Sequence, residues 1–110
     1  MTDISIDIWQ DDKPRQLAEV LASISQVKDM QKFLTDVMTE KEILEISARL
    51  EAARMLQSGR KYSEIVSETG LSSRTVARIS EWLKNGAGGY SLTLEKLTAH
   101  HDHMSPAHAE

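Results

Sequence analysis

Two arginines, Arg74 and Arg78, are the side chains whose type and spacing best suit specific chemistry. On a helix, residues four apart lie one turn apart on the same face. Arginine is the commonest reader of guanine edges in the major groove of DNA, because its guanidinium bonds two base acceptors at once. Ala77 lies between them and is small enough to let a helix approach bases closely. The segment therefore predicts a helix that reads DNA.

Hydroxylated and cationic residues flank this helix. Either Ser72 or Ser73 can cap its start, where the free backbone N–H groups favour a phosphate. Lys61, Tyr62 and Ser63 begin a preceding short helix and can hold backbone phosphates. The predicted DNA-binding residues are Lys61, Tyr62, Ser63, Ser72, Ser73, Arg74, Thr75 and Arg78.

The elements that must position these residues form a predicted helix-turn-helix over about 62–85. Its helices are expected from Tyr62 to Thr69 and from Ser73 to about Asn85. Gly70 stands at the turn, where a residue without Cβ takes a sharp backbone conformation cheaply. Apolar residues at the supporting positions are expected to join the two helices, namely Ile65, Val66, Leu71, Val76, Ile79 and Leu83.

Three amphipathic helices are predicted before this pair. The first begins near Pro14, which suits a first helical turn, and the second follows Ser25 as a candidate N-cap. The third begins at a capping box, Thr39 to Glu42, and ends at Gly59. Its apolar face is predicted from residues at helical spacing, namely Ile43, Ile46, Leu50, Ala53 and Leu56.

The whole pattern predicts an all-α fold. Residues 1–13 are interpreted as a mobile acidic arm, 14–97 as one helical domain, and 98–110 as a disordered tail. The small helix-turn-helix cannot bury the apolar faces of three preceding helices alone. We therefore expect a homodimer built from residues of about 14–58.

Composition excludes several function classes. The 110 residues contain no cysteine, so disulfides and thiolate zinc sites are excluded. The net charge is −4, but residues 49–84 hold seven cations against four glutamates, which leaves +3 there and −7 elsewhere. A basic patch on an acidic body is compatible with nucleic-acid binding. Neither a secretory signal nor a membrane-length apolar run is found, so a cytoplasmic location and no membrane partner are expected.

Other chemistry finds little support. The carboxylates lie on helix faces without matched partners, so no enzyme activity or cofactor is expected. Histidines cluster near the C-terminus, but in a flexible tail they make a poorly organised metal site, so no metal is expected. The cluster comprises His100, His101, Asp102, His103 and His108.

Two rival functions stay open. One is an all-helical protein-interaction module, either an adaptor or an anti-repressor, which the acidic balance favours. The other is a transposase-type DNA-binding domain, against which stands the lack of a catalytic domain in the chain.

From about Phe33 to Tyr90, the chain resembles the Trp repressor superfamily, and within it the YerC/YecD-like branch. The strings that carry the resemblance are Met38–Glu42, Ala48–Leu56, the helix-turn-helix and Asn85–Tyr90. The resemblance implies an all-α fold in which N-terminal helices of two chains interlock into one dimer core. It also implies a transcriptional regulator that binds double-stranded DNA.

The ligand of the family is not expected to carry over. The Trp repressor holds tryptophan between two arginines that match Arg49 and Arg78, in a pocket lined by small residues. At the matching positions this chain has Ile79 and Trp82, two large side chains that would fill the space for an indole. The loop before the first short helix is also one residue shorter. DNA binding is therefore expected without tryptophan as co-repressor, and any other small-molecule effector is left open.

Overall fold

The computed structural model describes residues 7–97, so the tail predicted over 98–110 and the first six residues lie outside it. Within the described part every regular element is helical, which confirms the all-α prediction. A 3-10 turn, Ile8–Gln10, precedes the α-helices. They are α1 (Asp12–Ser23), α2 (Val27–Val37), α3 (Glu40–Gln57), α4 (Tyr62–Thr69), α5 (Ser73–Asn85) and α6 (residues 89–97).

The first two helices begin close to the predicted positions. Helix α1 starts at Asp12, so Pro14 lies in the first turn, where its missing N–H costs no hydrogen bond. The predicted arm over 1–13 therefore includes helical residues. The proposal of Ser25 as N-cap of α2 is wrong: Gln26 occupies the cap with an extended backbone, and its side chain makes no capping hydrogen bond.

The start of α3 is the capping box that the sequence predicts. The N–H of Glu42 donates to Thr39 Oγ1 at 3.1 Å, and the N–H of Thr39 donates to Glu42 Oε1 at 2.8 Å. Two backbone donors that a helix start leaves without partners are thereby satisfied.

The described residues divide into two compact units, one that ends at Ile43 and one that begins at Leu44. In the first unit no described residue is buried, and the apolar side chains of α1 and α2 are half-buried or exposed. The second unit contains the core. Its buried residues are Ala52, Ala53, Met55, Ile65, Val76, Ile79 and Leu94.

The face predicted for α3 is only partly correct. Ala53 is buried, whereas Ile46 is 55% exposed, although the two residues lie on the same side of the helix. Within the second unit the core residues of α3 all belong to its C-terminal half, where Ala52 and Met55 are also buried. No helix among residues 7–97 is long and apolar enough to cross a membrane.

Candidate nucleic-acid interface

The turn between α4 and α5 is built around Gly70. Its backbone is left-handed, with φ of 77°, and its N–H donates to the carbonyl oxygen of Val66 at 2.9 Å. Thr69 Oγ1 then accepts a hydrogen bond from the N–H of Leu71 at 3.2 Å. This conformation confirms the predicted turn, because a residue without Cβ adopts it without strain.

Apolar packing behind the turn fixes which face of α5 is presented outward. Ile65 of α4 is fully buried together with Val76 and Ile79 of α5. The other predicted supporting residues, Val66, Leu71 and Leu83, are partly buried against them, as expected. With its apolar face in the core, α5 presents the opposite stripe, which comprises Arg74, Arg78, Glu81 and Asn85.

The start of α5 is capped by Ser72 and not by Ser73. Ser72 Oγ accepts a hydrogen bond from the backbone N–H of Thr75 at 3.1 Å. The same hydroxyl group donates to Thr75 Oγ1, also at 3.1 Å. Thr75 is half-buried and engaged in the cap, whereas Ser73 and Arg74 beside it are exposed.

The start of α4 carries the other predicted contacts. Lys61 occupies the N-cap position, and its backbone N–H donates to Glu64 Oε1 at 3.3 Å. The side chain of Tyr62 is 43% exposed, and Ser63 is exposed. All three residues thus lie on the surface at the entry to the helix pair.

Ion pairs neutralise part of the positive charge that the sequence places in residues 49–84. Arg49 pairs with Glu45 at 3.1 Å, and Arg54 pairs with Glu51. Arg60 contacts two carboxylates of α4, Glu64 and Glu68, both at 2.9 Å. Within the described part of the chain, the cations of this stretch that form no ion pair are Lys61, Arg74, Arg78 and Lys84.

The pairing changes how these groups titrate. Hydrogen bonding from Arg54 lowers the pKa of Glu51, and hydrogen bonding from Arg60 lowers the pKa of Glu64. The cations of this stretch without a carboxylate partner among the described residues thus lie on α5 and at the start of α4. The spacing of Glu51 and Arg54, three residues apart, is the signal in the sequence from which this pairing is predictable.

One feature of α5 was missed at the level of sequence. Asn85 Nδ2 donates a hydrogen bond to Glu81 Oε2 at 2.7 Å. Both side chains are exposed and belong to the same outward stripe as Arg74. Their spacing of four residues is the usual one for a side-chain contact along a helix.

Of the two large residues that were expected to fill a ligand space, only Ile79 lies in the interior. Ile79 is fully buried in the core, whereas Trp82 is 41% exposed. Of the two arginines that were expected to flank this space, Arg49 and Arg78, the first donates a hydrogen bond to Glu45. The histidine cluster proposed near the C-terminus lies outside the described residues.

Comparison with known proteins places these features in context. Residues 13–98 match the Trp repressor protein family. The chain is 37% identical over 86 residues to the uncharacterised protein YerC of Bacillus subtilis. The alignment covers 76% of this chain and 83% of YerC. A crystal structure of a TrpR-like protein from Eubacterium eligens aligns with a TM-score of 0.78 at 33% identity, over 84% of this chain and 95% of the other. A candidate Trp repressor from Staphylococcus aureus aligns with a TM-score of 0.79 at 25% identity, over 86% and 95% of the two chains.

Proposed function

The chain belongs to the Trp repressor family, and on that premise we propose that it is a sequence-specific DNA-binding transcriptional regulator. Helix α5 enters the major groove in this proposal. The observation that carries it is the outward stripe of α5, where Arg74 and Arg78 form no ion pair with the described residues. The match to the Trp repressor protein family over residues 13–98, and a similar solved structure named as a TrpR-like protein, support the same class of function.

The contacts divide into base reading and phosphate binding. Arg74 lies nearer the N-terminal end of α5, which enters the groove first, so we assign it to a guanine edge. Arg78 binds either a base or a phosphate. Ser73 and the capped start of α5 hold a phosphate, with Thr75 positioning Ser72. Lys61, Tyr62 and Ser63 bind the DNA backbone on one side of the reading helix.

Uncovered apolar residues support a homodimer. Leu44 is 63% exposed and Ile46 is 55% exposed, and they point to nearly opposite sides of α3. Exposed apolar residues on both sides of one helix are costly in water, because burial of a leucine or isoleucine side chain contributes roughly 1.5–3 kcal/mol. A second copy whose N-terminal helices interlock with these covers both sides. The two α5 helices of the dimer then lie roughly 34 Å apart, one turn of duplex DNA.

Selection from a random DNA library, followed by a salt titration on the best sequence, tests the proposal. A regulator of this kind selects a two-fold-symmetric site. The logarithm of its affinity falls linearly with the logarithm of salt concentration, with a slope of roughly −0.9 per phosphate contact. Failure to enrich any sequence would contradict the proposal and favour the interaction module, whose apolar contacts respond weakly to salt. We further infer that tryptophan is not the co-repressor, since Ile79 is part of the core.

A further inference from the structure

We propose that Glu81, held in place by Asn85, is a specificity-determining residue of α5. This inference rests on the DNA-binding function proposed above. The carboxylate discriminates in two ways: it accepts a hydrogen bond from a base amino group at one position of each half-site, and it repels DNA backbone elsewhere.

The placement of Glu81 comes from the buried side of α5. Val76, Ile79 and Leu83 point to the core, so the helix presents the opposite side to any ligand. Glu81 lies seven residues after Arg74, almost two full helical turns, and therefore on the same face. A ligand that contacts both arginines along this stripe also meets the carboxylate.

The partner of Glu81 distinguishes it from neighbouring glutamates. Four glutamates of α3 and α4 are neutralised by arginines, namely Glu45, Glu51, Glu64 and Glu68. Glu81 instead accepts a hydrogen bond from the neutral amide of Asn85 at 2.7 Å. No cation among residues 7–97 pairs with it, so its negative charge is retained on the face that also carries two arginines.

This arrangement suits base recognition. The hydrogen bond from Asn85 engages Oε2 and limits the rotamers of the side chain, while Oε1 remains able to accept. In the major groove the donors are the amino groups of cytosine and adenine, and a carboxylate pairs best with the N4 amino group of cytosine. Where the DNA sequence offers no such amino group, the carboxylate lies near phosphates with no compensating hydrogen bond. The expected result is weaker binding to non-cognate DNA.

The experiment compares four proteins on the selected duplex and on a random duplex of equal length. They are the wild type, Glu81→Gln, Asn85→Ala and Glu95→Gln. The last is a control that removes one exposed carboxylate from α6. Glu81→Gln should reduce the ratio of selected to random affinity about fivefold or more, the lower end of one good base contact. It should also relax or change the base preferred at one position per half-site in a repeated selection. Asn85→Ala should reduce the ratio in the same direction, and Glu95→Gln should leave it unchanged.

The outcomes separate this inference from the function on which it rests. If the wild type prefers a selected site but Glu81→Gln keeps the same ratio and base preference, Glu81 does not determine specificity. The same conclusion follows if Glu95→Gln changes the ratio equally, because the effect is then one of net charge. If the wild type selects no sequence at all, the proposed function fails, and this inference fails with it.

Discussion

The guanidinium of Arg54 and the carboxylate of Glu51 meet through two parallel hydrogen bonds. Arg54 Nε lies 3.0 Å from Glu51 Oε1, and Arg54 Nη2 lies 2.6 Å from Glu51 Oε2. This two-point geometry is the strong form of an arginine–carboxylate contact. It accounts for the lowered pKa of Glu51, to which Arg60 contributes more weakly through its charge. Arg54 thereby has a carboxylate partner within its own helix, α3, whereas Arg74 and Arg78 have none among the described residues.

This pair predicts a pH dependence of stability. Because the pKa of Glu51 is lower in the folded chain than in the unfolded one, its stabilising contribution is fully present above the pKa of the unfolded chain. That contribution is lost as the pH falls through the lower folded value. Glu51→Gln should therefore flatten the acid side of the stability curve, with a small amplitude because the pair is exposed. Urea unfolding between about pH 5 and pH 3 measures it.

Arg54→Gln is the matched variant for this pair, since it removes the donor and leaves the carboxylate. It should flatten the same limb in the same direction. Identical pH dependence in the wild type and both variants would show that the pair does not contribute to the folded state.

Substitution of Gly70 is expected to lower the stability of the fold through backbone strain alone. A Cβ at this position would meet no atom within 4 Å, but the φ of 77° is one that other residues adopt only with strain. Gly70→Ala should therefore lower the free energy of unfolding by about 1–3 kcal/mol. Gly89→Ala is the control, because its Cβ also meets nothing and its backbone is not left-handed. Equal stability of the two variants would mean that the left-handed turn is not needed.

Free L-tryptophan should neither bind tightly nor change DNA affinity. The resemblance to the family implies a small residue at position 79 beside the ligand, whereas this chain has Ile79, which is fully buried in the core. Isothermal titration calorimetry of the protein with tryptophan checks the first part, and repetition of the DNA titration with tryptophan checks the second. Micromolar binding in the calorimeter would contradict this prediction.

The exposed apolar residues of α3 predict a dimer. Sedimentation at micromolar protein concentration should give twice the mass of the chain. Leu44→Glu should shift the population to monomer or unfolded chain, because it puts a charge where an apolar contact is expected. Gln57→Glu, at an exposed polar position of the same helix, should sediment like the wild type. A compact wild-type monomer would contradict the interlocked dimer.

Local patterns predicted most of the helices correctly. The capping box at Thr39 and the glycine at position 70 fix helix ends by interactions within a few residues, so they are readable from sequence. The exposure of Ile46 was not readable from the sequence. Ile46 and Ala53 lie on the same side of α3, and only the packing of residues distant in the chain distinguishes them.

The candidate interface also combines features that the sequence predicts with features that it does not predict. The face that carries Arg74 and Arg78 follows from the apolar spacing of α5, which the sequence contains. The choice of Ser72 over Ser73 as cap was open, since both are serines and only the backbone at each position decides. The pairing of Arg60 with Glu64 and Glu68 was also missed, because a count of charges does not tell which of them neutralise each other.

The most direct test of the central claim is the relative affinity of Arg74→Ala for selected and random DNA. If α5 reads bases through Arg74, the variant should lose roughly 1–3 kcal/mol on the selected site and relax the preference at one position per half-site. Lys61→Ala should instead weaken both DNAs alike and reduce the salt slope by about one unit. Lys96→Ala, which removes an exposed cation from α6, should change neither quantity. If Arg74→Ala binds selected and random DNA with the relative affinities of the wild type, α5 does not read DNA through Arg74.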